Sequence, residues 1–199
     1  MNQPLVVDLD GTLIHTDMLH ESALKVLRER PWATLFIPLW LARGKAVLKQ
    51  RLADRCRFDP ASLPYNEALL TWLRQQKDAG RRLILCTASH QSIAQAIADH
   101  LQLFDEVMAS DGETNLSGPR KAEALTARFA ETGFVYVGNC DKDLPVWSVA
   151  HSAVVVNGAN GLSDRTRAVC AIEHEFPLRA SGLLAWYVVI RAHQWLKIL

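Results

Sequence analysis

The feature that most constrains this chain is an apolar run near its start that ends in two acidic residues. Residues 4–13 read PLVVDLDGTL. The β-branched run before Asp8, bounded by a proline, predicts a buried strand of a parallel sheet. Side chains two apart on an extended segment face the same way, so Asp8 and Asp10 leave the strand's carboxyl end together. Open α/β sheets bind ligands at that end.

Two carboxylates at one strand end predict a cation site. Their mutual repulsion has to be offset, and Mg²⁺ is a hard cation that takes oxygen ligands. Gly11 allows the backbone to turn sharply, and Thr12 adds a hydroxyl and an amide that suit a phosphate cradle. The alternative is that the two acids merely cap the strand.

Residues 8–12 (DLDGT) resemble the first motif of the haloacid dehalogenase (HAD) superfamily. The resemblance implies that Asp8 is the nucleophile, forming an aspartyl-phosphate, and that Asp10 is the general acid and base. It implies Mg²⁺ as cofactor and a phosphorylated small molecule as substrate. A carboxylate attacks phosphorus only when the phosphoryl group is held in line and its charge is neutralised.

The composition limits the classes of protein to which this chain can belong. The 199 residues, 49% of them hydrophobic, suit one domain with an insertion. With 22 basic and 21 acidic residues there is no nucleic-acid footprint. The four cysteines form no CxxC pair, which favours reduced thiols in a cytoplasmic protein, and the seven histidines lack metal-ligand spacing. A strand that begins within four residues of the start predicts no signal peptide.

Residues 14–63 are predicted to be helical. Asp17 is a plausible N-cap, Pro31 ends the first helix, and Lys45 to Cys56 form another that carries several basic residues. The apolar run between them, residues 32–42 (WATLFIPLWLA), is too short to span a bilayer. It is interpreted as the core of a small helical subdomain in preference to a membrane-contacting surface. In HAD proteins an insertion here is a cap that closes over the site and selects the substrate.

Two further stretches resemble the second and third HAD motifs. Residues 81–89 (RRLILCTAS) predict a buried strand with Thr87 at its tip, and the resemblance implies that Thr87 and the Ala88 region bind the phosphoryl group, as do Gly11 and Thr12. Pro119 opens a helix whose first turn contains Lys121, where a cation opposes the macrodipole. The resemblance implies that Lys121 neutralises charge on the nucleophile and phosphate, with Arg120 as the competitor.

Residues 134–147 (FVYVGNCDKDLPVW) resemble the fourth motif with one departure. Asn139 stands where the family usually has an acidic metal ligand, and an amide oxygen contributes no negative charge to a hard-cation site. Asp143 matches the second acid, and Asp141 is a candidate for partial replacement. The implied metal ligands are therefore Asp8, Asp10, Asn139 and Asp143. A non-enzymatic module, weakened at Asn139, is the competing interpretation.

Five predicted strands alternate with helices, the third at residues 104–110 and the fifth at 152–158, followed by a helix over 161–170. This pattern predicts an α/β fold with a doubly wound parallel sheet and a small helical cap inserted after the first strand. The predicted domains are a core of residues 1–13 and 64–180, a cap of residues 14–63, and an apolar C-terminal helix of residues 181–199.

The C-terminal helix suits either docking on the core or a membrane interface, because Trp and Tyr mix with Arg and Lys on an apolar segment. Residues 191–197 (RAHQWLK) resemble the segment that leads into the first membrane helix of UbiA-type prenyltransferases fused to an N-terminal HAD-like region. The resemblance implies a lipid-linked phosphate as substrate, association with a membrane enzyme, and a location at the inner face of the membrane.

Overall fold

The computed structural model describes residues 3–29, 31–44, 47–48, 50–51, 59–111, 114–159 and 161–177. These residues form a six-stranded, all-parallel sheet in the order β3-β2-β1-β4-β5-β6. The strands are β1 (Leu5–Val7), β2 (Leu83–His90), β3 (Glu106–Ser110), β4 (Val135–Gly138), β5 (Ser152–Val156) and β6 (Ile172–Phe176).

Helices cover both faces of the sheet, which confirms the predicted doubly wound fold. The α-helices with both ends described are α1 (Met18–Glu29), α2 (Ile37–Ala42), α3 (Glu67–Asp78), α4 (Gln91–Leu101), α5 (Pro119–Arg128), α6 (Leu144–Trp147) and α7 (Leu162–Arg167). Buried residues of α3 and α4 pack on one face of the sheet, and those of α5, α6 and α7 pack on the other. Burial on both faces explains why the inner strands are nearly continuous apolar runs.

The strand order reverses between β1 and β4. Strands β2 and β3 lie on one side of this point, and β5 and β6 lie on the other. In open α/β sheets such a switch point leaves a crevice at the carboxyl ends of the strands, because the connections on either side run to opposite faces. Asp8 follows β1 and Asn139 follows β4, so both predicted site segments begin at this crevice.

The five predicted strands are present, but β6 was not predicted. Its sequence, IEHEF, alternates apolar and polar residues, and all three of its central side chains are exposed. It is an edge strand that pairs only with β5 in the described sheet. An edge strand needs little apolar sequence, so its signal is weaker than that of a buried strand. The helix predicted over residues 161–170 is also shorter in the structure and ends at Arg167.

The apolar run of residues 32–42 differs from the favoured prediction. It forms a 3₁₀ segment (Pro31–Phe36) followed by α2, and most of its large side chains are exposed rather than forming a subdomain core. Trp40 is the exception, since it is buried in a small cluster with Val26 and Leu48, against which Ile37 packs. One side of the segment therefore packs against the rest of the chain, and the other side is exposed to solvent.

Several predicted features lie outside the described residues. These are most of the helix from Lys45 to Cys56 and the C-terminal segment of residues 178–199, so the domain limits and the role of that segment stay predictions. In the part of the chain that the structure describes, no helix combines the length and the apolar character needed to cross a bilayer.

Candidate active site

Asp8 lies directly beyond β1, and its position is set by the sheet. Its backbone N–H donates to the Val137 carbonyl at 3.0 Å, which extends the pairing of β1 with β4 by one residue. Leu9 is fully buried in the core, so the side chains of Asp8 and Asp10 on either side of it point away from the apolar cluster that contains Leu9. The Asp10 charge acts on Asp8, as expected for two carboxylates that share one crevice.

Lys121 reaches Asp8 from the first turn of α5. Its Nζ donates to Asp8 Oδ1 at 2.6 Å, to the Tyr136 hydroxyl at 2.9 Å and to the Cys86 carbonyl at 3.2 Å. These are the three hydrogen bonds that an ammonium group can donate. The competitor Arg120 is exposed, so the structure brings Lys121 and not Arg120 to Asp8.

The charges at this point are unbalanced. Burial raises the pKa of Asp8 to about 7; the Lys121 ammonium opposes the shift, while the carboxylates of Asp143 and Asp10 add to it. Burial disfavours the charged form of Lys121, but the facing Asp8 carboxylate and its acidic neighbours outweigh this and raise the Lys121 pKa. The Asp8 carboxyl thus interacts with two further carboxylates and only one ammonium, an arrangement that favours binding of a further cation.

Asp143 holds the loop after β4. Its Oδ2 accepts hydrogen bonds from the backbone N–H groups of Asn139 at 3.0 Å and Cys140 at 3.2 Å, and its Oδ1 accepts one from the Tyr136 hydroxyl at 2.9 Å. The close approach depends on Gly138, because an added Cβ there would lie 2.7 Å from Asp143 Oδ2. Asp143 therefore orients the Asn139 loop, and its assignment as a direct metal ligand stays a prediction.

Tyr136 is a member of this network that the sequence analysis did not identify. It is fully buried, and burial raises the pKa of its phenol well above the ordinary value, so the hydroxyl is neutral. It accepts from Lys121 and donates to Asp143, and so connects the predicted cation to a predicted acid. Within an apolar strand, a Tyr is indistinguishable from an ordinary core aromatic residue, so no sequence signal separated it.

Asn139 packs tightly against the turn after Asp10. Gly11 has a φ of +77°, and a Cβ added there would lie 2.2 Å from Asn139 Nδ2. Asn139 Oδ1 is buried and has no hydrogen-bond partner among the described residues. A buried carbonyl oxygen without a partner is costly, and a bound cation would satisfy it.

The residues present fit a divalent cation. Among the described residues, no three His, Cys, Asp or Glu side chains form a cluster that could hold a metal ion alone. The unpartnered Asn139 oxygen supplies an additional oxygen donor beside the Gly11 turn that follows the two acids, and the excess of carboxylates supplies the charge. Oxygen donors with net negative charge suit Mg²⁺.

Asp10 is held by two donors. The backbone N–H of Met18, the first residue of α1, donates to Oδ1 at 2.8 Å, and the Ser89 hydroxyl donates to Oδ2 at 2.8 Å. Ser89 was not predicted as a site residue, although it lies two positions beyond Thr87 and so on the same side of the strand. The bond from Met18 also ties the start of α1 to the second acid.

The predicted phosphate-binding residues differ in whether their side-chain hydroxyls already have a hydrogen-bond partner among the described residues. Thr87 is fully buried, and its Oγ1 accepts from the backbone N–H of Ser89 at 2.9 Å. Thr12 is also fully buried, and its hydroxyl has no partner among the described residues. Ala88 precedes α4, whose N-cap is His90. Asp141 lies apart from this group, because its carboxylate pairs with exposed Arg165 at 2.8 Å.

The fold and this crevice define a Rossmann-like α/β domain with an acidic site at its switch point. The sequence model of the haloacid dehalogenase-like hydrolases matches residues 5–147, which is most of the chain. The chain belongs to this family.

Solved structures with the same fold include phosphatases. A protein of unknown function from Bordetella pertussis Tohama I superposes with a TM-score of 0.64 at 16% identity, covering 87% of this chain and 99% of that one. A substrate-bound phosphoserine phosphatase gives 0.61 at 13% identity, with coverage of 95% and 98%. A phospho-aspartyl intermediate analogue of phosphoserine phosphatase gives 0.58 at 14% identity, with coverage of 94% and 98%.

One sequence relative is considerably closer. The uncharacterised protein y4nM of Sinorhizobium fredii is 39% identical over 196 residues, which is 98% of this chain. The chain spans only 38% of the length of that relative.

Proposed function

We propose that this domain is a Mg²⁺-dependent phosphomonoester hydrolase that works through an aspartyl-phosphate on Asp8. The observation that carries the proposal is the contact of Lys121 Nζ with Asp8 Oδ1 at 2.6 Å, in the crevice that also contains Asp10. The two acids follow β1 and Lys121 lies in α5, and they match the family's first and third motifs.

In the first half-reaction, the Asp8 oxygen that is not bonded to Lys121 attacks phosphorus. The bond from phosphorus to the leaving oxygen breaks, and Asp10 gives a proton to that oxygen. The Met18 amide and the Ser89 hydroxyl hold the Asp10 carboxyl in place for this transfer. Lys121 neutralises charge on the nucleophile and the phosphoryl oxygens.

In the second half-reaction, water attacks the aspartyl-phosphate. Asp10 takes a proton from that water, the bond from phosphorus to Asp8 breaks, and inorganic phosphate leaves. Thr12 is suited to binding the phosphoryl group, because its buried hydroxyl lacks a partner among the described residues. Thr87 and the Ala88 backbone complete the proposed cradle.

Asp8, Asp10 and Asn139 would hold Mg²⁺, with Asp143 as a ligand or as the support of the Asn139 loop. When bound, the ion withdraws negative charge from the phosphoryl oxygens and so favours attack by a carboxylate.

The test is phosphate release from p-nitrophenyl phosphate with and without Mg²⁺, for the wild type and Asp8→Asn. We expect release that requires Mg²⁺ and is abolished by Asp8→Asn. Equal rates for the two proteins would refute the proposal. A screen of phosphorylated metabolites with the intact cap would then identify the substrate class.

A narrower form of the proposal names the substrate. We propose a phosphate on a lipid-linked sugar, made by a prenyltransferase at the inner face of the membrane, because the cap has an apolar segment and residues 191–197 resemble the fused prenyltransferases. It predicts faster turnover of polyprenyl-linked phosphates than of soluble ones. A preference for soluble phosphates would contradict this form and leave the hydrolase proposal standing.

Asn139 motivates a second candidate, a phosphate-binding or accessory module with weak catalysis. Replacing Asn139 by Asp restores the acid that the family usually has there. A large gain in turnover would identify a weakened site and favour the accessory role. Little change would mean that the amide oxygen suffices for activity.

A further inference from the structure

The cap exposes a cluster of large apolar side chains that the proposed reaction does not use. They are Trp32, Leu35, Phe36, Leu39 and Leu41, with exposed fractions of 63%, 80%, 46%, 53% and 49%. We refer to these five residues as the cap apolar surface. The only other large apolar residues exposed in the described part of the chain are Leu27, Val149 and Val169. Isolated exposed residues are ordinary, whereas five within ten positions mark an interaction site.

The exposure is a property of a folded segment. Ile37 and Trp40 point into the small cluster with Val26 and Leu48, and the rings of Phe36 and Trp40 stack with centroids 6.1 Å apart. The backbone of α2 is capped at Arg43, whose N–H bonds to the Trp40 carbonyl at 3.2 Å. The inward side chains of the segment are therefore packed within the chain, whereas the outward side chains are exposed and able to contact a partner.

The charge of the segment indicates which partner fits. Residues 30–53 contain five basic residues and no Asp or Glu. The basic residues are Arg30, Arg43, Lys45, Lys49 and Arg51. The net positive charges of this segment would repel those of a second copy, so self-association through it is disfavoured. An anionic bilayer attracts them and accepts apolar side chains in its interfacial layer.

The size and composition of the segment agree with binding parallel to a bilayer. Its 3₁₀ turns and α2 together cover only Pro31–Ala42, which is far too short to span the hydrocarbon core. Trp and Phe are enriched at the headgroup level, where an aromatic ring contacts both apolar and polar surroundings.

We propose that the cap apolar surface docks on the interface of an anionic phospholipid bilayer. The segment belongs to the cap, and Met18, the first residue of the cap helix α1, donates its backbone N–H to Asp10. Docking would thus hold the catalytic crevice beside the lipid surface. The proposal concerns where the protein binds and stands independently of the hydrolase reaction.

The decisive experiment measures amide hydrogen exchange of the full chain with and without vesicles of phosphatidylglycerol and phosphatidylcholine. We expect peptides covering residues 31–42 to gain protection with the mixed vesicles and much less with phosphatidylcholine alone. Because the readout is local, binding through residues 178–199 would not imitate it. Vesicle binding without protection of residues 31–42, or no vesicle binding, would overturn the proposal.

A matched pair of variants tests the same surface. Leu35→Glu places a charge in the cap apolar surface, and Val169→Glu places one at an exposed apolar residue of the core domain. We expect Leu35→Glu to lower vesicle partitioning by about tenfold and Val169→Glu by less than about twofold. Circular dichroism verifies folding of both, and Leu39→Glu replaces Leu35→Glu if that variant misfolds. Equal partitioning of the pair, or a wild-type dimer that Leu35→Glu dissociates, would overturn the proposal.

Discussion

The crevice of the candidate active site and the cap apolar surface differ in what their side chains contact. In the crevice, Lys121 makes three hydrogen bonds to groups from separate strands, and Asp143 accepts bonds from a side chain and two backbone amides. In the cap, Trp32 and Leu35 are left largely in water. The contrast teaches that the crevice is organised by internal partners, whereas the cap surface is organised for an external one. Substitutions in the crevice should therefore affect stability and chemistry together, while those on the cap should affect neither strongly.

The largest effect is expected from Lys121→Met. The substitution removes the ammonium that faces buried Asp8, and breaking a buried ion pair costs about 3–5 kcal/mol of unfolding free energy. Turnover should also fall by about 10²–10³-fold. Urea unfolding and phosphate release measure the two effects. The control is Arg120→Met, which removes the adjacent exposed cation and should leave both nearly unchanged. Similar stability and turnover of the two variants would show that Lys121 has no role in the site.

Gly11→Ala tests the packing of the crevice turn. Alanine at a φ of +77° is strained by about 1–2 kcal/mol, and its Cβ would also collide with Asn139. Gly80→Ala is the control, because Gly80 has a φ of +80° but no atom within 4 Å of the added Cβ. We expect Gly11→Ala to lose about 1–3 kcal/mol more than the control in urea unfolding. Equal losses of unfolding free energy in the two variants would show that the Asn139 side chain moves aside at no energetic cost.

Tyr136→Phe tests the buried hydroxyl that joins Lys121 to Asp143. Removing it deprives one donor and one acceptor of a partner, at a cost of about 1–3 kcal/mol. Tyr65→Phe is the comparison, since the Tyr65 hydroxyl makes one part-buried bond to the Pro60 carbonyl. Chemical denaturation of both variants should show the greater loss for Tyr136→Phe. The opposite order would contradict the network described for the crevice.

The smallest effect concerns the far edge of the sheet. Hydrogen bonds from the Arg81 guanidinium lower the pKa of Glu173 on β6 from its ordinary value of 4.5. A depressed carboxyl pKa in the folded state stabilises the protein above the unfolded value, and the contribution disappears as pH falls through the folded one.

Melting curves between pH 3 and 7 should therefore show that Glu173→Gln is less acid-sensitive than the wild type, although less stable at neutral pH. Glu173 is about one-third exposed, with a side-chain relative accessibility of 36%, so solvent screening keeps the difference below about 1 kcal/mol. Melting temperatures that coincide for the two proteins at every pH in this range would exclude the pair as a source of stability.

The amino-acid sequence by itself determined the strand and turn around Asp8 and Asp10, the alternation of strands and helices, and the positions of Lys121 and Asn139 in their motifs. These are local patterns, because strand burial and glycine turns depend on neighbours within a few residues. The family resemblance added roles to those positions, and the sheet order and family membership agree with it.

Only the tertiary structure decided which groups meet. Lys121 contacts Asp8 across 113 positions of the sequence, and Ser89 contacts Asp10 across 79. In the sequence Tyr136 resembles any core aromatic residue, and only the structure shows that its hydroxyl bonds Lys121 and Asp143. The exposure of the cap apolar surface and the pairing of β6 were likewise invisible in sequence. The physical reason is that apolar periodicity records which residues avoid water, while long-range packing decides whether the chain itself or another partner excludes it.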